Sequence, residues 1–293
     1  MWGALEIGLI FGLVALGVLI SFRILRFPDL TVDGSFPLGG AVAAILISQG
    51  NDPFIATVVA TFAGAIAGTI TGWLNVRLKI MDLLASILMM IALYSINLRI
   101  MGRPNVPLIM EPTVFTILQP DAIADYIARP LLLIGLVLVA KLALDWFFGT
   151  QTGLAMRATG ANARMARAQG VATGNMLLLC MAISNALVAL AGALFAQSQG
   201  GADISMGIGT IVIGLAAVIV GESILPARKL FYATLAVVLG AILYRFFIAL
   251  ALNADVIGLK AQDLNLVTAL LVTVALVIPL LKKKRARKQK GAQ

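Results

Sequence analysis

The stretch from Ala4 to Phe22, ALEIGLIFGLVALGVLISF, contains one charged side chain, Glu6, in nineteen residues. Segments of this kind constrain the fold more than any motif does. Hydrocarbon offers the backbone no hydrogen-bond partner, so an apolar run of roughly 18 residues or more crosses it as a helix. Eight further apolar segments follow: Ser35–Ser48, Phe54–Val76, Met81–Leu98, Pro130–Phe147, Thr173–Gln197, Gly207–Gly221, Leu230–Leu250 and Leu264–Leu281. The second and seventh of the nine are short for a full crossing. The ten-residue alternation of outer-membrane strands is missing. Mean hydropathy of +1.02 with only 12% charged residues agrees, since soluble domains carry about a quarter. The chain reads as all-α, a polytopic membrane bundle of about nine transmembrane helices forming a single domain over residues 1–293.

Charge gives the orientation. Arg23, Arg26, Arg77, Lys79, Arg157, Arg164, Arg167, Arg228, Lys229 and the basic tail 282–293 all fall on one side of the spans. The positive-inside rule makes that side cytoplasmic, with the N-terminus outside and the C-terminus inside. The sequence thus predicts a multi-pass protein of an inner or plasma membrane. The net charge of +9 resides largely in that tail, LKKKRARKQK, where it suits anionic lipid head groups and topology and implies no nucleic acid.

Several chemistries are excluded by residue type. The chain has no histidine and one cysteine, Cys180, within an apolar run, so a transition metal or haem has almost no ligands available, no catalytic triad with histidine can be assembled, and no metal or cofactor is expected. No lysine follows a glycine, so a phosphate-binding loop is missing and the chain is not expected to hydrolyse ATP. The chain is not expected to be an enzyme.

A shift of 174 residues lays DLTVDGSFPLGGAVAA (Asp29–Ala44) over DISMGIGTIVIGLAAV (Asp203–Val218), the first span over the sixth and the third over the eighth. The paired segments face opposite ways, which predicts an inverted repeat of about 4–100 and 173–282, with interrupted helices lining a pathway at the pseudo-two-fold axis. Gly64, Gly68 and Gly72 lie on one helix face and read as packing. The polar groups within or beside spans are Asp33 and Ser35, Ser95 and Asn97, Ser184 and Asn185. Each either lines the substrate pathway or satisfies an interhelical hydrogen bond. Glu222, Lys141 and Arg245 read as interfacial or paired with an opposite charge.

One segment is out of character with the rest. TGLAMRATGANARMARAQGV, residues 152–171, is a polar, Arg- and Gly-punctuated stretch within the loop 148–172. Thr152–Gly170 reads as a short surface helix ended by Gly170. Its order, Gly-x-x-x-Arg-Ala-x-Gly-x-Asn followed by Ala-Arg-x-x-Gly, resembles the coupling-helix loop of permease subunits of bacterial ABC importers. The branched-chain amino acid and ribose class is the most similar. Arg157, Ala158, Gly160, Asn162, Ala166 and Gly170 match that loop position by position, and Arg164 and Arg167 lie on the same segment. PDLTVDGSFPLGGA and IGLAAVIVGESILPARK resemble two further family segments, with Asp33 where the first usually has glycine and with Glu222 and Pro226 departing from the second.

The resemblance implies a type II-like importer permease, working as a homodimer and docked to two copies of a cytoplasmic ABC ATPase through Arg157, Ala158, Gly160, Asn162, Arg164, Ala166, Arg167 and Gly170. An extracytoplasmic substrate-binding protein would deliver a small solute, an amino acid being the closest likeness. The alternative on residue chemistry alone is an ion-coupled secondary transporter using Asp33 or Glu222. An export permease of the same superfamily fits less well, because such domains have fewer spans or a fused ATPase.

Overall fold

A computed structural model describes residues 2–118, 125–225 and 229–252, together with Thr273. The first helix, α1 (Trp2–Val18), continues as a π-helical turn, Leu19–Leu25, that ends at Arg26 in the left-handed region. After an extended link come α2 (Val32–Ser48), α3 (Pro53–Leu78) and α4 (Asp82–Met101). A strand, β1 (Asn105–Pro107), and a short helix, α5 (Val114–Ile117), precede α6 (Asp125–Gly149). The polar segment forms α7 (Gln151–Ala161) and α8 (Ala163–Ala168). Last come α9 (Thr173–Gln199), β2 (Gly201–Asp203), α10 (Thr210–Ile224) and α11 (Leu230–Leu252).

Among the described residues, six helices are long and apolar enough to cross a membrane: Trp2–Leu25, Pro53–Leu78, Asp82–Met101, Ile127–Gly149, Thr173–Gln199 and Leu230–Leu250. This is a multi-pass membrane protein. The two segments read as short are α2 and α10, apolar helices of 17 and 15 residues. The expected span Leu264–Leu281 and the basic tail lie outside the described residues.

Local chemistry sets the boundaries. Asp52 caps α3 by accepting the Phe54 N–H at 2.7 Å, with Pro53 at the first helical position, where its missing N–H costs nothing. Gly102 and Gly200 end α4 and α9 in the left-handed conformation that glycine adopts without strain. One expectation is corrected here. The segment 152–170 is not one helix: Asn162 leaves helical geometry at φ −156° and ψ 96°, and its side-chain oxygen accepts the Met165 N–H at 3.1 Å. An asparagine that can serve as an N-cap makes a second helix start as favourable as continuation of the first.

The core is built around α1 and α9, which pack antiparallel. Glu6 accepts from Ser198 Oγ at 2.6 Å, Phe11 meets Phe195, Ser184 Oγ donates to the Gly17 carbonyl at 2.8 Å, and Cys180 lies under the Ile20 carbonyl. The half-length α2 lies across α9, where a Cβ on Gly39 would sit 1.9 Å from the Ala189 carbonyl oxygen and one on Gly192 1.9 Å from that of Phe36. Gly64 and Gly68 likewise bring α3 onto α9, against Asn185 and Met181. Small residues permit this closeness, which supplies the van der Waals contact that holds helices together where no hydrophobic drive separates them from lipid. Phe11, Phe36 and Phe195 fill the space between α1, α2 and α9 with ring centroids 5.5–6.2 Å apart.

Candidate functional site

Both half-length helices begin inside the fold, and their starts adjoin. Asp33, in the first turn of α2, accepts the Ile211 N–H at 2.7 Å and the Gly209 N–H at 3.2 Å, placing a carboxylate on the N-terminal end of α10. That end carries partial positive charge and unsatisfied N–H groups, so the carboxylate suits it on both counts. Gly207 makes the approach possible, since a Cβ there would lie 2.1 Å from the Asp33 carbonyl oxygen and 2.5 Å from Pro37 Cδ.

Against this junction lies a cavity of about 420 Å³. Asp33, Gly34 and Pro37 of α2 form one wall; Met90, Tyr94, Ser95 and Asn97 of α4 form another; Ile204 and Ile208 close it from the segment before α10. Asn97 is fully buried. Its Nδ2 donates to the Gly34 carbonyl at 3.1 Å, which fixes the amide, and its Oδ1 is left with no partner. Ser95 is exposed at the cavity wall.

Of the six polar residues singled out in the sequence, the structure brings Asp33, Ser95 and Asn97 together around this cavity. Ser35 and Asn185 lie behind it, fully buried, with Ser35 Oγ donating to Asn185 Oδ1 at 2.7 Å. Ser184 is likewise buried, on the α1 contact already described. Sequence reasoning missed Asp29. Its carboxylate is buried in the link before α2, where it accepts from Asn185 Nδ2 at 2.8 Å and the Thr31 N–H at 3.0 Å; Thr31 in turn meets Thr71 Oγ1 at 2.9 Å. The available signal was the repeat, because the partner position, Asp203, makes the same turn by accepting the Ser205 N–H at 2.8 Å.

The second cluster is the polar segment. Thr150 caps α7 through the Gly153 N–H. A Cβ on Gly160 would sit 1.8 Å from the Ile24 carbonyl oxygen, so α7 is seated directly on the π-helical end of α1. Arg157, Ala158, Asn162, Arg164, Arg167 and Gly170 are exposed, whereas Ala166 is buried and Gly160 is half-buried on its own chain. Arg167 donates to Thr173 Oγ1 at 3.1 Å, joining α8 to the start of α9. Between α7 and α8 runs an open groove of about 290 Å³ lined by Ala158, Ala161, Asn162, Met165 and Ala166.

Of the other charges singled out, Lys141 and Glu222 are paired, and Arg245 lies 6.0 Å from the centre of the Phe11 ring. Lys141 meets Asp145 at 2.7 Å and lies over the Phe231 ring, Thr234 Oγ1 donates to Asp145 at 2.8 Å, and Glu222 accepts from Arg23 Nε at 2.7 Å. No group of three or more His, Cys, Asp or Glu side chains that could hold a metal ion occurs among the described residues.

Comparison with known proteins places these features in context. Residues 3–280 match the family described as branched-chain amino acid transport system / permease component. The chain is 37% identical over 264 residues to a tyrosine transport system permease protein of Clostridioides difficile, covering 90% of this chain and 86% of that one. It is 35% identical over 280 residues to an uncharacterized protein of Rickettsia prowazekii, covering 93% and 95%. A galactofuranose transporter permease protein of Escherichia coli is 27% identical over 258 residues, covering 85% and 71%. No solved structure matches.

Proposed function

This chain belongs to the branched-chain amino acid transport system / permease component family, and from that premise we propose that it is the permease subunit of an ABC importer for a small amino acid-like solute. The observation that carries the reading is the family match over nearly the whole chain, joined to a polar two-helix segment, α7 and α8, seated on the end of a spanning helix. In this reading the chain forms a homodimer in the bacterial inner membrane, with its arginine-rich ends in the cytoplasm. A separate ATPase binds the exposed face of α7 and α8 through Arg157, Ala158, Asn162, Arg164, Arg167 and Gly170, and seats in the groove between them. Gly160 and Ala166 serve the same coupling from behind, holding the segment against α1 and within its own fold. An external binding protein delivers the solute. The tyrosine transport permease relative favours an amino acid with an aromatic or apolar side chain.

The pathway is assigned to the cavity of Asp33, Ser95 and Asn97, with Ser35, Ser184 and Asn185 supporting it from the interior. An inverted repeat would put that cavity beside a pseudo-two-fold axis, and several contacts related by the 174-residue shift support one. Gly40 packs on Gly192 while Gly214 packs on Val18, each position exchanged for its counterpart. Gly8 of α1 meets Ile242 of α11, and Gly68, the counterpart of Ile242, meets Met181 next to the counterpart of Gly8. Alternating access then amounts to rocking the two halves about their antiparallel α1–α9 seam, driven from α7 and α8. The ion-coupled alternative would use Asp33 or Glu222; Glu222 is engaged by Arg23, and an ion-driven carrier has no need of the docking segment α7 and α8.

Affinity purification of the tagged chain from its native membrane tests this reading. It predicts a co-purifying ATPase that is lost when Arg157 and Arg164 are both replaced by Glu. Purification without any ATPase in mild detergent, where the fold survives, contradicts it.

A further inference from the structure

The cavity of α2 and α4 has an unusual electrostatic character. No Lys or Arg lines it, and among the described residues neither Asp33 nor Asp29 is paired with a basic side chain. Asp29 lies behind the same junction, fully buried and bonded to Asn185 and Thr31. Where interrupted helices meet, their N-terminal ends commonly attract an anionic group. Here Asp33 already occupies the N-terminal end of α10, accepting two of its free N–H groups, so that end has little left to offer a second carboxylate. The buried Asn97 presents a complementary signal. The Gly34 carbonyl can only accept, so it holds the amide nitrogen and leaves Oδ1, an acceptor, without a partner. A buried acceptor with no donor is costly, and a ligand that supplies the donor removes the cost.

We propose that Asp33 and Asn97 form a cation-recognising corner of this cavity, which takes the primary ammonium group of a solute while Met90, Ile91, Tyr94 and Ile208 enclose its apolar body. The inference rests on the reading of this cavity as the solute pathway, and it adds the group by which the permease itself selects. A solute with an amine enters; its deaminated acid does not. Two features account for the choice. An ammonium group brings donors for Asn97 Oδ1 and for the remaining lone pairs of Asp33, and its charge is attracted by the Asp33 carboxylate, which lacks a basic partner. A solute whose only charge is a carboxylate meets Asp33 as repulsion and brings no donor for Asn97 Oδ1.

The test uses the full chain in lipid nanodiscs with Ser95→Cys as a reporter on the cavity wall. The native Cys180 is fully buried and serves as the unreactive background. Modification rates by 2-aminoethyl methanethiosulfonate, which carries an ammonium, and 2-sulfonatoethyl methanethiosulfonate, which carries a sulfonate, are each divided by the rate with free cysteine. The ammonium reagent should be favoured by about ten-fold or more, the ratio that one hydrogen bond to a charged group supplies. Adding Asn97→Leu or Asp33→Asn should each remove most of that preference. Tyramine should slow the modification and 3-(4-hydroxyphenyl)propanoate should not. If Asp33→Asn fails to fold, Asn97→Leu carries the test alone. Equal normalised rates for the two reagents, a preference unchanged by the variants, or equal protection by the acid overturns the proposal. Loss of ATP-driven uptake in a reconstituted system, with the reagent preference intact, would count against the transport reading and leave the site standing.

Discussion

Replacing Gly160 by alanine adds one methyl group at the point where α7 rests on the end of α1. That Cβ would lie 1.8 Å from the Ile24 carbonyl oxygen and 3.0 Å from Leu25 Cα. Real contacts to a Cβ do not fall below 3.0 Å, so α7 must retreat by about 1.2 Å. The obstacle is backbone on both sides and cannot rotate away. Overpacking of this kind costs about 1–3 kcal/mol. At about 2–4 °C for each kcal/mol in a domain of somewhat smaller size, Tm should fall by several degrees. The functional consequence should exceed the thermal one, because the displaced helix is the proposed coupling element: ATP hydrolysis by the assembled transporter should continue while uptake drops. Thermal unfolding of the purified chain and paired hydrolysis and uptake assays measure both effects. Gly149→Ala is the control, since nothing lies within 4 Å of a Cβ there, and it should behave as wild type. A Gly160→Ala chain with unchanged Tm and unchanged coupling would refute the seating of α7 on α1.

Three further outcomes follow from the same structure. Lys141→Met strands the buried Asp145 carboxylate and should cost about 3–5 kcal/mol in chemical unfolding, with Lys141→Met/Asp145→Leu recovering most of it; a single variant as stable as wild type would show the pair to be dispensable. Asn162→Ala removes the cap of α8 and should cost about 1 kcal/mol locally, seen as faster protease cleavage within 162–170, and unchanged cleavage would reject the cap. Outside the spans, hydrogen bonds from the Ser205 hydroxyl and N–H hold the Asp203 carboxyl below its ordinary value of 3.8. A carboxyl lowered by folding contributes stability above its unfolded value and loses it as pH falls through the lowered one. Amide protection in the β1–β2 ladder, corrected for intrinsic exchange, should therefore fall only below about pH 4, and Asp203→Asn should remove that dependence.

The helical bundle was legible because span length and charge asymmetry are imposed by the bilayer itself, and α2 and α10 could be recognised as short from their apolar length alone. The break at Asn162 was not. A residue that caps one helix while ending another looks the same in sequence as one exposed on a continuous helix, and only the φ of −156° decides. The role of Gly160 was hidden for a related reason, since a small residue reads equally as a surface for a partner or as clearance for the chain's own Ile24 carbonyl. The polar residues, Asp33 and Asn97 among them, stood out because polarity in an apolar helix is rare. Sequence could not separate them from Ser35 and Asn185, which satisfy one another across 150 positions of chain. Asp29 was passed over because it precedes its helix and resembles an ordinary turn residue.

The measurement closest to the central claim is solute uptake into proteoliposomes containing this chain. The account predicts uptake of radiolabelled amino acid only when ATP and a separate ABC ATPase are present on the arginine-rich face, with none driven by a proton or sodium gradient. Accumulation by the chain alone under an ion gradient would contradict it.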